Sequence, residues 1–463
     1  MADGEQLDEV VVIGYGTVKK SNLTGAVASV SGKDLQAGVA RSASSALQGR
    51  IAGVSVSSAT GQPGQDMNIN IRGISSLSST KPLYVIDGVY GDINMVDPND
   101  IQSLEVLKDA SAAAIYGSRA ANGVVLITTK SGRTEMPTRV EVNAYSGIQT
   151  VAKTMEVMNT AEYMAFCKQH QIGQKIPEFV NGNGIDTDWQ KETFETAPVT
   201  KINLNVSGGG KTSTYNVSGS YLNQKGIVKT TGYEAWNIRT KNTFSAFNNH
   251  LRMGTSVLLK MWNKDYDDLS YSSALRNLTM VPVYDTNNPK DGRWGYVPSW
   301  GKGADNPVGW VESHDNQRHG IDLLMNGYAE VDLGLEGLKY KFNVGAERLQ
   351  RRSYAHSTPF YFGPYSEQNV NKLSEGHTWD NTWMIENTLH YDNTFGKHTV
   401  SGLLGYSSQR YSYRSISASR EGLTDGIFVL DNGASDTQTN GGSAAANTLV
   451  SLFARGMYSF DSR

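Results

Sequence analysis

The chain has 463 residues and a net charge of −3, which offers no basic field for nucleic acid and no polybasic patch for a membrane surface. Its 48 glycines and 23 tyrosines, against 12 prolines and 19% charged residues, favour strands and turns over helices. The single cysteine, Cys167, excludes an internal disulfide; no histidine stands out as a catalytic partner for it, so it reads as a buried thiol.

In chain order, the first element is the apolar run Val10–Ile13 of "EVVVIGYGT". Gly14 and Gly16 raise a nucleotide-binding reading, because a dinucleotide fingerprint is G-x-G-x-x-G opening a helix. Lys19 stands where the third glycine belongs, and "KKSNLTGAV" leads to another strand-like run; Asp34 lies near the place of a ribose-binding acid. The segment therefore reads as a short strand followed by a flexible joint. Further short strands are predicted at 25–30, 54–57, 68–72, 83–86 and 123–129. A helix is predicted over 44–48, stopped by Gly49, and 98–107 and 110–116 read as helical or turn pieces, with Asp97 as N-cap and Pro98 at the first helical position. Gly88, Gly117 and Gly123 sit where tight turns or close backbone approach are expected. Arg72, Glu105, Lys108, Asp109 and Arg119 form a charged set in this region.

From residue 138 the grammar changes to strict alternation. Ile202, Leu204 and Val206 point one way while Lys201, Asn203, Asn205 and Ser207 point the other, and Tyr215, Val217 and Tyr221 repeat the pattern. Strands are predicted near 139–150, 199–209, 212–224, 232–247, 250–263, 319–335, 337–353, 379–394, 397–416 and 446–460. Short turns at 210–211, 248–249, 336–337 and 395–396 alternate with longer connections at 151–198, 225–231, 264–318, 354–378 and 417–445. No run of 18 apolar residues exists for a transmembrane helix, but alternating strands escape that test. Short turns at one end and long loops at the other suit a membrane β-barrel, with a soluble sandwich as the competing architecture.

Candidate chemistry is sparse. The 264–318 connection carries Trp294, Tyr296, Trp300 and Trp310, whose faces suit sugars or peptides and equally suit loop packing or an interfacial girdle. His314, Asp315 and His319 match no recognised zinc spacing, and "NGNGIDTD" fails the calcium-loop pattern. No G-x-S-x-G and no phosphate-loop lysine motif occurs, so no catalytic residue, metal or cofactor is expected.

The ordered set "LDEVVVIGYGTVKKSNLTGAVASV", "ALQGRIAGVSV", "GQPGQDMNINIRGISS", "PLYVIDGVYG" and "DIQSLEVLKDASAAAIYGSRAANGVVLITTKSG" resembles the plug of TonB-dependent outer-membrane transporters, in their SusC/RagA branch. "TDWQKETFETAPVTKINLNVSGG" and "YNVSGSYLNQKGIVKTTGYE" resemble the opening barrel strands of that branch. The resemblance implies an antiparallel barrel of about 22 strands filled by an N-terminal mixed α/β plug, with about ten strands present here. It divides the chain into a TonB-box segment and joint (1–20), a plug (21–137) and the N-terminal part of the barrel (138–463). Later barrel strands would then be missing from this chain. Asp8, Glu9, Val10, Val11, Val12 and Ile13 would bind TonB by strand addition, the alternative being an ordinary buried strand. Arg72, Glu105 and Arg119 would make plug–barrel contacts, the alternative being surface charge of little energetic weight. The implied role is import of an oligosaccharide or peptide across the bacterial outer membrane. The implied partners are TonB with its inner-membrane energising complex, a SusD-like surface lipoprotein and outer-membrane lipid. A β-rich surface adhesin or ligand-binding protein without energised transport remains the alternative.

Overall fold

The computed structural model describes residues 10–13, 16–19, 27–36, 42–58, 60–73, 81–109, 113–171, 184–267, 269, 271–297 and 306–461. The chain opens with β1 (Val10–Ile13), paired antiparallel to β2 (Gly16–Lys19) as a separate two-stranded sheet whose register runs from Val10↔Lys19 to Ile13↔Gly16. Asp8, Glu9 and the N-terminal part of the expected 25–30 strand lie outside the described residues.

An inner unit follows. Its elements are β3 (Val27–Ser31), α1 (Gly32–Gln36), α2 (Ala43–Ala46), β4 (Val54–Ser58), β5 (Met67–Ile71), β6 (Leu83–Ile86), β7 (Val89–Tyr90), β8 (Ile101–Leu107) and β9 (Val124–Thr129). Five of the strands form a sheet in the order β3-β8-β9-β6-β7, in which only β6 and β9 run parallel; β4 and β5 form a second, two-stranded sheet. Ser42 caps α2 by accepting the Ser45 N–H at 3.2 Å, and Gly49 follows in the left-handed conformation (φ 71) that ends helices. Asp87 and Gly88 both have positive φ, the pair of left-handed residues that a two-residue hairpin between β6 and β7 requires. The core gathers Leu35, Leu47, Ile69, Leu104, Val124 and Ile127.

One stretch departs from expectation. Residues 98–107 are not helical throughout: Pro98–Asp100 is a single 3-10 turn, capped by Asp97 as expected, and Ile101–Leu107 is an interior strand. Ile101, Leu104, Val106 and Leu107 mimic helical spacing, but the successive residues Leu104–Leu107 of this interior strand are all buried, so both faces are covered there and period-2 alternation has no reason to appear. Ala114–Ala120 is a 3-10 stretch broken at Gly117 (φ 65), and 110–112 lie outside the described residues.

The wall is one ten-stranded antiparallel sheet. Its strands are β10 (Arg139–Gln149), β11 (Ala197–Gly209), β12 (Ser213–Lys225), β13 (Gly232–Ala246), β14 (Leu251–Asp265), β15 (His314–Asp332) and β16 (Leu338–Ser357), and then β19 (Lys372–Phe395), β20 (His398–Glu421) and β21 (Thr439–Phe460). A small hairpin of β17 (Phe360–Gly363) and β18 (Ser366–Gln368) lies between β16 and β19. Neighbours in sequence are neighbours in the sheet, as short turns require. The wall is inside-out relative to a water-soluble sheet. Lys201, Asn203, Asn205, Asn216 and Ser218 are buried, while Ile202, Leu204 and Val217 are 44–46% exposed on the other face. That inversion is what a lipid-facing barrel strand shows. Residues from β10 through β20 touch the inner unit, so the sheet curves around it.

Several wall strands run past their expected limits at the long-loop end: β15 begins at His314, β19 at Lys372 and β21 at Thr439. There the hydropathy alternation fades while ladder pairing continues, so period-2 reading stops short of the pairing. The long connections also fold. They carry α3 (Thr160–His170), α4 (Trp189–Thr193), α5 (Tyr271–Arg276) and α6 (Pro307–Ser313), packed around Trp189, Met280, Val281 and Val308.

Candidate functional site

The candidate site is the seam between inner unit and wall, built on short capped turns. Asp97 caps Pro98–Asp100 by accepting the Asn99 N–H at 2.8 Å through Oδ1, and its Oδ2 meets Lys201 Nζ of β11 at 3.0 Å. Both side chains are almost fully buried, at 4% and 2% exposure. Asp92 caps Ile93–Met95 in the same way, and its own N–H donates to Glu347 Oε1 of β16 at 3.0 Å. At the β6–β7 turn, Lys241 Nζ of β13 reaches Asp87 Oδ1 at 2.7 Å, and the Thr129 N–H donates to the same oxygen at 3.0 Å.

Arg239 of β13 is the hub. It is 1% exposed, donates to Thr129 Oγ1 at 2.9 Å and to Asn216 Oδ1, and stands 3.7 Å from Asp100 Oδ2. Lys260 of β14 donates to the Asn94 carbonyl at 2.6 Å, and Lys130 of the inner unit meets Glu141 of β10 at 3.5 Å. On this seam the wall supplies mostly cations and the inner unit mostly carboxylates. Burial pushes the Asp87 carboxyl upward, but the Lys241 charge and hydrogen bonds from Lys241 and Thr129 outweigh it and hold the group below its ordinary value. Asp100 is pushed up instead: burial dominates, Arg239 opposes it, and the neighbouring Asp97 charge adds to it. Asp66 is raised by burial and by Asp92.

Packing is close at one point and open at two others. A Cβ on Gly345 of β16 would stand 2.6 Å from Val89 Cγ2, so the glycine makes room for the Val89 side chain of β7. Leu258, Leu324, Leu349 and Met384 of the wall join the inner core there. Elsewhere the fit is loose. A cavity of about 680 Å³ separates Asp87, Tyr90 and Tyr116 from Lys341, Glu386 and Arg455, and another of about 450 Å³ lies among Gln62, Asp66, Tyr233, Lys260 and Arg351. A seam of ion pairs, amide contacts and polar cavities separates with less exposed apolar area than a continuous apolar interface would.

Arg119, Arg72 and Glu105 fall in different places. Arg119 donates to Gln409 of β20 and lies 4.4 Å above the Tyr90 ring. Arg72 pairs with Asp109 inside the inner unit, and Lys108 donates to the Ala52 carbonyl there. Glu105 is buried in β8 between β3 and β9. The seam cations Lys201, Arg239, Lys241 and Lys260 were not among the contacts expected from sequence, although a lysine or arginine on the inward face of an alternating strand, as at Lys201, was their visible signal.

The loop aromatics are likewise divided. Trp294 is 1% exposed, stacked on Tyr284 at 5.4 Å and edge-on to Phe362. Trp310 stacks on His314 at 4.1 Å, Tyr296 lies 5.9 Å from Tyr361, and Trp300 lies outside the described residues. Val10–Ile13 is β1 of the N-terminal strand pair. Among the described residues no group of His, Cys, Asp and Glu is arranged to hold a metal ion.

Residues 19–124 match the family model described as TonB-dependent Receptor Plug Domain. The chain is 32% identical over 493 residues to TonB-dependent receptor SusC of Bacteroides thetaiotaomicron, an alignment covering 100% of this chain and 48% of SusC. It is 32% identical over 443 residues to TonB-dependent receptor P26 of Formosa agariphila, covering 92% of this chain and 44% of the relative. The chain thus spans about half the length of the curated relatives it matches. Among solved structures, the RagAB peptide importer in its open-open state superposes with a TM-score of 0.85 at 26% identity, over 98% of this chain and 55% of that one. The ferric citrate transporter FecA shares the fold, with a TM-score of 0.57 at 14% identity over 94% of this chain and 56% of that one.

Proposed function

This chain belongs to the SusC/RagA family of TonB-dependent receptors, and from that premise we propose that it serves TonB-dependent import of an oligosaccharide or peptide across the bacterial outer membrane. The observation that carries the proposal is the seam. A plug is seated in a polar-lined wall through Asp97–Lys201, Asp100–Arg239 and Asp87–Lys241, bonds that part and re-form without unfolding the barrel. In this reading residues 1–20 are the segment that is gripped, 21–137 the plug and 138–463 barrel wall with its outer loops.

The mechanism follows from strand chemistry. Val10–Ile13 offers a β-branched strand edge to which a strand of TonB adds, with Asp8 and Glu9 preceding it in sequence as part of the same TonB-binding segment, so main-chain hydrogen bonds transmit the pull. The β1–β2 pair is short, and an isolated two-stranded hairpin is marginal in water, so it yields to a competing strand. At the other end, a SusD-like lipoprotein closes over the packed long loops. In this reading Tyr296, Trp300 and Trp310 remain the candidate ligand or partner residues of the long connection, while Trp294, 1% exposed, packs inside the loop scaffold. The resemblance to a peptide importer keeps peptide beside oligosaccharide as cargo.

Deletion of Asp8–Ile13 from the full-length protein tests the proposal. Uptake of labelled ligand by whole cells is expected to fall to background, with outer-membrane insertion and surface ligand binding retained. Undiminished uptake by an inserted deletion variant refutes the pull.

A further inference from the structure

The outer face of the wall carries a feature that transport does not use. Asn343, Gly345 and Glu347 of β16 touch the plug, so the even-numbered residues of that strand face outward. Register then places Arg348 (β16), Asn381 (β19) and Ser412 (β20) side by side on the outer face. Trp379 lies opposite Arg414, and Trp383 opposite Arg410, on the same face. Arg348, Arg410 and Arg414 are exposed, and among the described residues none of the three has a carboxylate within ion-pair distance. A shallow groove of about 730 Å³ runs between Arg348 and Arg414, lined also by Trp379, Asn381, Ser412 and the small residues Ala444–Ala446, with Arg410 two positions from Ser412 on the same face of β20.

Height identifies the occupant. Nearer the short turns the same face is apolar, with Phe342, Val344, Leu389, Leu404, Tyr406 and Leu452 exposed. From Phe395, beside the β19–β20 turn, to Trp383 is 12 residues. At about 3.4 Å per residue and a tilt of roughly 45°, that rise is on the order of 29 Å, about the thickness of a hydrocarbon core. The arginines therefore stand at the headgroup level of the outer leaflet, with Trp379 and Trp383 at the interface where tryptophan collects. Arg348 and Arg414 lie two strands apart, about 10 Å, and each guanidinium offers a phosphate two parallel N–H donors. Asn381 and Ser412 between them add neutral donors.

We propose that this groove binds the phosphate-bearing headgroup of an anionic outer-leaflet lipid, with the acyl chains lying along the apolar belt below. The assignment rests on outer-membrane residence. The test uses the full-length protein purified in mild detergent, as wild type, R348Q/R410Q/R414Q and R348K/R410K/R414K. Binding of lipid A, of dephosphorylated lipid A and of inorganic phosphate is titrated, and co-purified lipid is counted by native mass spectrometry. With roughly fivefold per basic residue at a charged membrane surface, the glutamine variant is expected to bind lipid A on the order of 100-fold more weakly. The lysine variant, keeping charge but losing the bidentate fork, is expected to fall between. Equal affinity of wild type and glutamine variant, or of lipid A and its dephosphorylated form, overturns the site, and inorganic phosphate binding as tightly as lipid A overturns the lipid assignment. If wild type itself fails to fractionate with outer membranes, the residence reading fails first, which separates the two.

Discussion

Arg239→Met is the sharpest perturbation of the seam. The guanidinium is 1% exposed and serves Asp100, Thr129 and Asn216 together. Methionine fills much of the volume but leaves the Asp100 carboxyl, already pushed up by burial, without the charge that most opposes that push. Removing one partner of a buried pair costs about 3–5 kcal/mol. The pairing of β13 with β12 and β14 is main-chain and is unaffected, so the loss falls on plug seating and not on the barrel. At about 3 kcal/mol the opening equilibrium of the plug rises on the order of 100-fold. Amide hydrogen exchange of the full-length protein reads this directly. Amides of β8 and β9 are expected to exchange about 100-fold faster, while β12–β14 amides keep their rates. Asp100→Asn in the same background should recover part of the loss, with a coupling above about 1 kcal/mol. Unchanged exchange in β8 and β9, or strictly additive effects at 239 and 100, would refute the claim that this pair seats the plug.

Acid should loosen the seam in a defined window. Because the Asp87 carboxyl is held below its ordinary value of 3.8, its contribution is complete above that value and is lost as pH falls through the depressed one. Asp100 is raised and works oppositely, its protonation on mild acidification relieving a cost. Plug exchange measured from pH 7 to 5 should therefore not accelerate on account of Asp87, and should rise below about pH 4 in wild type but not further in Asp87→Asn. Gly345→Val drives a side chain into Val89 and should unseat the β6–β7 turn at a cost of about 1–3 kcal/mol, seen as faster exchange at Val89 and Tyr90; unchanged exchange there would mean the turn is not held by that contact.

Much of the fold was legible because two periodicities leave marks in the sequence. Alternation from Lys201 to Ser207 and around Val217 announced strands with a polar and an apolar face, and short turns announced an antiparallel meander. Asp97, Pro98 and Gly49 carried their cap and stop roles on their residue types alone. What failed has a physical cause. Leu104–Leu107 is covered on both faces, so the apolar spacing of β8 could not distinguish strand from helix. The long-loop ends of β15, β19 and β21 had to be found by pairing, which composition does not record.

The seam was less legible than the fold. The expected contact set took its charges from the plug, as Arg72, Glu105 and Arg119, yet Arg72 pairs with Asp109 within the plug and Glu105 is buried in β8 between two plug strands. A charged side chain states only that it needs a partner. Lys201 and Asp97 are 104 positions apart in the chain and meet only because the wall curves around the plug. The sequence by itself determined the local states, the faces of the strands and the family signature, since these depend on residues a few positions apart. Tertiary structure decided which inward cation meets which capped aspartate, that Trp294 lies inside the loop scaffold, and that three arginines from β16 and β20 share one outward face beside a groove. Those are distances between segments remote in sequence, and only the pairing and curvature of the sheet fix them.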